Sequence, residues 1–505
     1  MELTLNTSTV SCYEKTFSQT VRKEETQDSV VPDTLPDIGE IVGTSGNVLI
    51  RSKDVGEGRI RLEANVPARV AYATEEGDGL YCLEVNIPLY VSLEDPSIPD
   101  HSLCVTDLTL SALETKMLNP RKVSVRAEIA FRVDCYAAVT KDFVGAPAQP
   151  QEGVNMLERE IALTPVCAVT EKTFVLTDEF AIPAAMPPAA ELLGQNTLLQ
   201  VEEIKTVGTK LVVKGSAESA LLYAAEDMSV GAVEFSTGFS QIIEAETLPE
   251  DPFVSVRLLL SGAFYDLSGG DGRGGSMELH VVAQAAVCGA AEASCLTDAY
   301  SNRYRLNTAS ERSEIRRIRK AVTLRETLRE QLPTAAPVSE ILQGSYTLGT
   351  ALAGENGGAA LPVTVCAYYR TADGRLCTAR RTFQLKFSAG LGEGETLEVC
   401  GASAQRLVEL SPSAGGIEAR LPVELSVFVW ECEPVEHITA IGYDETETQD
   451  LSALPSLVLL RASSSDDLWT LAKENASTTG AIAAANGLDS LTAPWEKLLL
   501  IPKTV

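Results

Sequence analysis

The stretch VPDTLPDIGEIVG, residues 31–43, decides how the chain is read, because it occurs more than once. Residues 182–194 run IPAAMPPAAELLG, with the same order of apolar, Pro, two variable positions, apolar, Pro, then Glu and a closing Gly. A third copy, LPTAAPVSEILQG at 332–344, keeps the four-residue gap between Pro333 and Pro337 but brings its Glu340 one position early. Pro32 and Pro183 lie 151 residues apart, and Pro183 and Pro333 lie 150 apart. A period of this size marks three copies of one domain-sized unit.

The residues after each copy repeat too. Ile60, Leu62, Ala64, Val66, Ala68, Val70 and Tyr72 alternate with Arg61, Glu63, Asn65 and Arg69. The second copy offers Leu211, Val213, Ala217, Leu221 and Tyr223, and the third Leu361, Val363, Val365, Ala367 and Tyr369. Turn signals come next, EEGDG from Glu75, EDMSVG from Glu226 and TADGR from Thr371, and each leads into a return strand such as Tyr81, Leu83, Val85, Ile87, Leu89 and Val91. Each copy closes on a further alternating run, the first from Val123 to Val133, the second from Met277 to Val287 and the third from Ile417 to Val429. Period two buries one face and wets the other, as in antiparallel sheet. The expectation is a mainly β protein: three antiparallel β-rich domains, sandwich or open barrel, at 1–145, 160–300 and 311–432. An acidic, irregular linker would span 433–455, and a small module 456–505.

That last part changes character. A short strand at 457–460 precedes DDLWTLAKENASTTGAIAAANGL, residues 466–488, and KLLLIP, residues 497–502. Asp467 suits an N-cap, Thr478 or Thr479 a second one, and Asn486-Gly487 a helix stop. The order reads strand, helix, helix, strand.

Charge narrows the partners. The chain has 505 residues and a formal net charge of −29, which opposes nucleic acid and bare anionic membrane. A basic stretch at 312–329 reads as a solvated face. The N-terminal residues lack the basic and apolar regions of a signal peptide, and no apolar run reaches membrane-span length. Eleven scattered cysteines with no CxxC pair suit reduced thiols in a cytoplasm. His101, His280 and His437 are isolated, GGDGRGG at 269–275 lacks the lysine of a phosphate loop, and no nucleophile elbow occurs. No catalytic residue, metal or cofactor is implied.

The repeated unit resembles the SPOCS domain of endospore-forming bacteria. The likeness rests on VPDTLPDIG, with Pro32, Asp33, Pro36 and Asp37, and on NPRKVSVRAEIAFRV from Asn119. Both later copies lack the two acids. The C-terminal module resembles a LysM domain through Asp467, Leu468, Trp469, Ala472, Asn486, Leu488, Leu498 and Ile501-Pro502. Asp466 stands where that family has Gly, and Trp495 lies in an altered Pro-flanked loop. The resemblance makes Asp466, Asp467, Trp469, Asn486 and Trp495 the candidate loop residues for a partner or a glycan. Trp469 reads first as a packing residue and Trp495 as an exposed anchor. Together the modules resemble morphogenetic proteins of the spore coat. This implies a non-enzymatic scaffold in the mother-cell cytosol, recruited to the forespore surface. Its LysM module would bind the coat ATPase SpoIVA, and its repeats other coat proteins or, by edge pairing, other copies of the chain. The alternative is a peptidoglycan- or N-acetylglucosamine-binding protein of the cell envelope, against which the altered loops count.

Overall fold

The computed structural model describes residues 3–75, 79–147, 149, 151–267, 271–354, 357–404, 407–452, 454–461, 467–488 and 498–504. It is mainly β, with 74% of residues in strands and 3% in helices, and its strands pair antiparallel. The mainly β class read from alternation is therefore the one observed.

One pairing order recurs along the chain. An entry strand lies against a long closing strand: Asn6–Val30 on Lys122–Gly145, then Val154–Leu163 and Val166–Ala181 on Ala291–Ser301 and Gly274–Cys288, then Tyr304–Leu332 on Gly416–Thr448. Each closing strand also takes the strand before it: Leu103–Asn119, Phe253–Asp266 and Glu395–Ala404. Between them sits a separate hairpin sheet centred on Arg59–Ala73, Lys210–Ala224 or Gly358–Thr371. Hairpin sheet and closing strand face each other. In the first stretch Ile60, Leu62, Val66, Val70 and Ile87 pack on Val123, Val125, Ile129, Phe131 and Val133. Tyr72, Tyr223 and Tyr369 occupy matching core positions, each 0% exposed.

The stretches are joined around one centre. Gln195 N–H donates to Ser45 Oγ (3.1 Å), Asn47 Nδ2 to the Thr197 carbonyl (2.7 Å) and Asn196 Nδ2 to the Tyr346 carbonyl (3.5 Å). Each bond spans 150 residues, so corresponding positions of successive copies touch. Val42, Leu193, Leu222 and Tyr368 fill the apolar junction between hairpin sheets. Strands of the first two stretches also share one six-stranded sheet through Tyr13 opposite Val166.

Three expectations are corrected. The linker expected from 433 is strand as far as Thr448, paired to Tyr304. Glu433, Glu436, Asp444 and Glu447 face water, while Val435, Ile438, Ile441 and Tyr443 are buried, an apolar series that acidic composition hid. Strands of the second and third stretches begin at Val154 and Tyr304, earlier than the expected boundaries of 160 and 311, because the entry strands must match their long partners in length. Finally, not every thiol is free. Cys104 and Cys135 stand directly opposite on adjacent strands, Cα to Cα 4.3 Å, and form a disulfide. That spacing is the close type of cross-strand pair, which brings Cβ atoms together. The other nine cysteines are free. Thiol titration in denaturant should find nine reactive groups without reductant and eleven with it. Reduction should cost about 3–4 kcal/mol, from the loop the bridge closes.

Candidate functional site

The first motif folds into a turn around one arginine. Leu35 N–H donates to the Pro32 carbonyl (3.0 Å), and the buried Tyr72 hydroxyl to the Pro36 carbonyl (3.1 Å). Arg121, just ahead of the closing strand, enters this turn. Its Nη1 donates to the Leu35 carbonyl (2.9 Å) and Asp37 (3.0 Å), and its Nη2 to the Val31 carbonyl (2.9 Å) and Asp33 (3.1 Å). The two sequence segments that carry the SPOCS likeness are thus one device. Asp33 and Asp37 serve an internal partner, so Pro32, Asp33, Pro36 and Asp37 shape and hold the turn. Exposed ion pairs contribute little on their own, but hydrogen bonds from a charged donor to backbone carbonyls contribute more. Replacing Arg121 by Gln should cost about 1–2 kcal/mol in a denaturant melt.

The C-terminal module has the expected order: Leu457–Arg461, α1 (Leu468–Glu474), α2 (Thr479–Asn486) and Leu498–Pro502. Asp467 caps α1, accepting from Thr470 N–H (2.7 Å) and the Thr470 hydroxyl (2.7 Å). These bonds, the backbone one first, hold its carboxyl below the usual carboxylate range. Asn486 is a staple. Its Nδ2 donates to the carbonyls of Ile482 (2.8 Å) and Leu500 (2.7 Å), and its Oδ1 accepts from Leu500 N–H (2.8 Å). Each of these two candidates has a structural task. Asn486→Ala should destabilise the module by roughly 2 kcal/mol, read as faster amide exchange at Leu500. Asp466 and Trp495 lie outside the described residues.

Trp469 is half-buried and docks the module onto the end of Ala291–Ser301. Its Nε1 donates to Asp298 (2.8 Å), and its ring meets Tyr300 edge-on at 4.8 Å. Lys473 also donates to Asp298 (2.8 Å), while the Tyr300 hydroxyl (3.0 Å) and Asn302 Nδ2 (2.9 Å) both donate to the Ser477 carbonyl. Burial would raise the Asp298 carboxyl, but Lys473 and Trp469 hold it below its ordinary range. The sequence reading missed Asp298, Tyr300 and Asn302. Asp298 and Tyr300 share one face at the end of the strand, a period-two signal that was available, and Asn302 follows just beyond its last residue.

The copies also enclose space. A cavity of about 400 Å³ is bordered by Asn47, Asn196 and Tyr346 from the three stretches. A second, of about 270 Å³, lies where Lys15, Arg257 and Glu398 converge. Lys15 pairs with Glu398, which also accepts from Trp430 Nε1 (2.7 Å). Burial would lower the Lys15 ammonium, but Glu398 pushes it up to about 12. Burial pushes the Cys288 thiol beside it up to about 12 as well, leaving it protonated at neutral pH and a poor nucleophile. Ser313 meets His437 Nε2 at 2.9 Å, but the buried His437 Nδ1 has no hydrogen-bond partner. The orienting acceptor of a triad is missing there. Among the described residues no group of three or more His, Cys, Asp or Glu is placed to hold a metal ion. No helix among them is long and apolar enough to cross a membrane.

Comparison with protein-family models, with curated proteins and with solved structures found no match for this chain.

Proposed function

We infer that the chain is a non-enzymatic adaptor of spore-coat assembly, similar to the morphogenetic protein SipL, with three SPOCS-like units and a C-terminal LysM-like module. In this reading it works in the mother-cell cytosol and at the forespore surface. The module binds the coat ATPase SpoIVA, and the β units hold other coat components. The observation that carries the reading is the Arg121 turn, in which Asp33 and Asp37 of the first signature segment grip the arginine that opens the second. Two distant segments typical of one domain type are physically interdependent, as expected if that domain is present. The module's use of Asp467, Trp469 and Asn486 for capping, docking and stapling favours a protein partner over a sugar polymer, since these side chains are already engaged.

A pull-down of SpoIVA by the full chain and by a chain ending at Pro455 tests it. Capture by the full chain that disappears with the truncation supports the adaptor reading. Equal capture by both removes the module from recognition, and no capture by either rejects the reading.

A further inference from the structure

The Arg121 turn has a counterpart in the second stretch that is built the same way but left open. Val31 N–H donates to the Arg121 carbonyl (2.9 Å), and Ile38 N–H to the Pro120 carbonyl (2.8 Å). Correspondingly, Ile182 N–H donates to the Arg273 carbonyl (2.8 Å), and Ala189 N–H to the Gly272 carbonyl (2.8 Å). The inner turn matches as well, Met186 N–H to the Pro183 carbonyl (2.9 Å), with the Tyr223 hydroxyl on the Pro187 carbonyl (2.9 Å). Arg273 enters this turn as Arg121 enters the first, donating through Nη1 to the carbonyls of Met186 (2.5 Å) and Pro183 (3.4 Å).

The difference lies in the charge. Where the first turn has Asp33 and Asp37, the second has Ala184 and Pro188. Among the described residues no carboxylate lies within ion-pair distance of the Arg273 guanidinium, whereas Arg121 has two. Asp271, the acid nearest in sequence, is engaged with the Arg273 backbone N–H (2.9 Å). The loop around Arg273 is exposed and apolar: Pro183, Ala184, Ala185 and Pro188 face solvent, and Met186 is 43% exposed. The third stretch lacks the device altogether, because Gly415 and Gly416 occupy the corresponding turn beside Leu332.

We propose that the Arg273 turn is a binding site for an acidic peptide segment of a partner protein. One or two Asp or Glu carboxylates of that segment take the places that Asp33 and Asp37 fill in the first stretch. The first turn is the internal precedent for the geometry: two carboxylates and two backbone carbonyls share one guanidinium fork, the arrangement to which arginine is suited. A peptide fits better than a free small acid because the exposed Met186 and the neighbouring Pro and Ala residues offer apolar contact beside the charge. The site is independent of the C-terminal module and of what that module binds.

The test is fluorescence anisotropy of a labelled, end-blocked peptide VPDTLPDIG, which carries both carboxylates at the spacing of residues 31–39, titrated with the full chain. Saturable binding is expected, weakened about tenfold or more in Arg273→Gln and in Ala184→Asp/Pro188→Asp, but unchanged in Arg121→Gln. The double variant supplies the missing acids in cis and keeps Arg273, so it tests occupancy of the site where Arg273→Gln loses the turn's own hydrogen bonds. Melting curves of each variant separate lost binding from lost folding. Wild-type affinity in the double variant, or no binding by the wild-type chain, overturns the proposal. Displacement of the peptide by succinate at equal concentration also overturns it, in favour of a small-acid site.

Discussion

Replacing Asp134 with Ala is expected to destabilise the chain by roughly 3–5 kcal/mol, the cost of leaving buried cations without their counter-charge. Asp134 is 0% exposed and belongs to the first stretch. It accepts from Arg257 of the second stretch (2.7 Å), lies 3.4 Å from Arg132, and accepts from the Ser18 hydroxyl (2.6 Å). The Arg257 side chain is only 12% exposed, so losing the carboxylate strands a guanidinium at the seam between stretches. The same contacts set the pH dependence. Burial would raise the Asp134 carboxyl, but Arg257, Lys15 and Arg132 bring it down to about 2. A carboxylate depressed in the folded state adds stability above its unfolded pKa, near 4, and loses it as pH falls through the folded value. Urea melts should therefore show about 2 kcal/mol vanishing between pH ~4 and ~2. Asp134→Asn should remove that part of the slope. An unchanged slope in the Asn variant would show that Asp134 is not the group responsible.

Tyr300→Ala should release the C-terminal module. The ring is 7% exposed and packs between Trp469 and Ser477, and truncating a buried aromatic costs about 3–5 kcal/mol. The module is also tied by Asp298 with Trp469 and Lys473, by Asn302 with Ser477 and Thr504, and by Lys503 on the Leu451 carbonyl. The loss should appear as rapid proteolytic cleavage between 449 and 456, together with a separate, lower melting transition for the module. The rest of the chain should melt as before. A single unchanged transition would mean that the remaining contacts suffice to dock it.

The separate elements were legible in the sequence, and the way they join was not. Alternation located the core strands well: Ile60, Leu62, Val66, Val70 and Tyr72 are all buried, as are Met277, Leu279, Val281 and Val287. Period two is a local property that a strand imposes on its own side chains. Capping was readable for the same reason, and Asp467 and Thr478 cap the two helices. Seams depend on residues far apart in the chain. Asp134 and Arg257 are 123 residues apart, Lys15 and Glu398 383 apart, and Trp469 and Asp298 171 apart, and no local pattern links either member to the other. Asp33 and Asp37 show the cost of reading locally. They stand out in the sequence only as part of the first copy's motif, and only the return of the chain at Arg121 gives them an internal role. The strand at 433–448 failed differently, because its acidic face outweighed its buried one in composition.

The most direct test of the adaptor reading is a side-by-side titration calorimetry of the full chain against SpoIVA and against N-acetylglucosamine oligomers. The expected result is saturable binding of SpoIVA and no heat from the oligomers. Saturable oligomer binding with none to SpoIVA would contradict the adaptor reading and make the chain a glycan-binding protein.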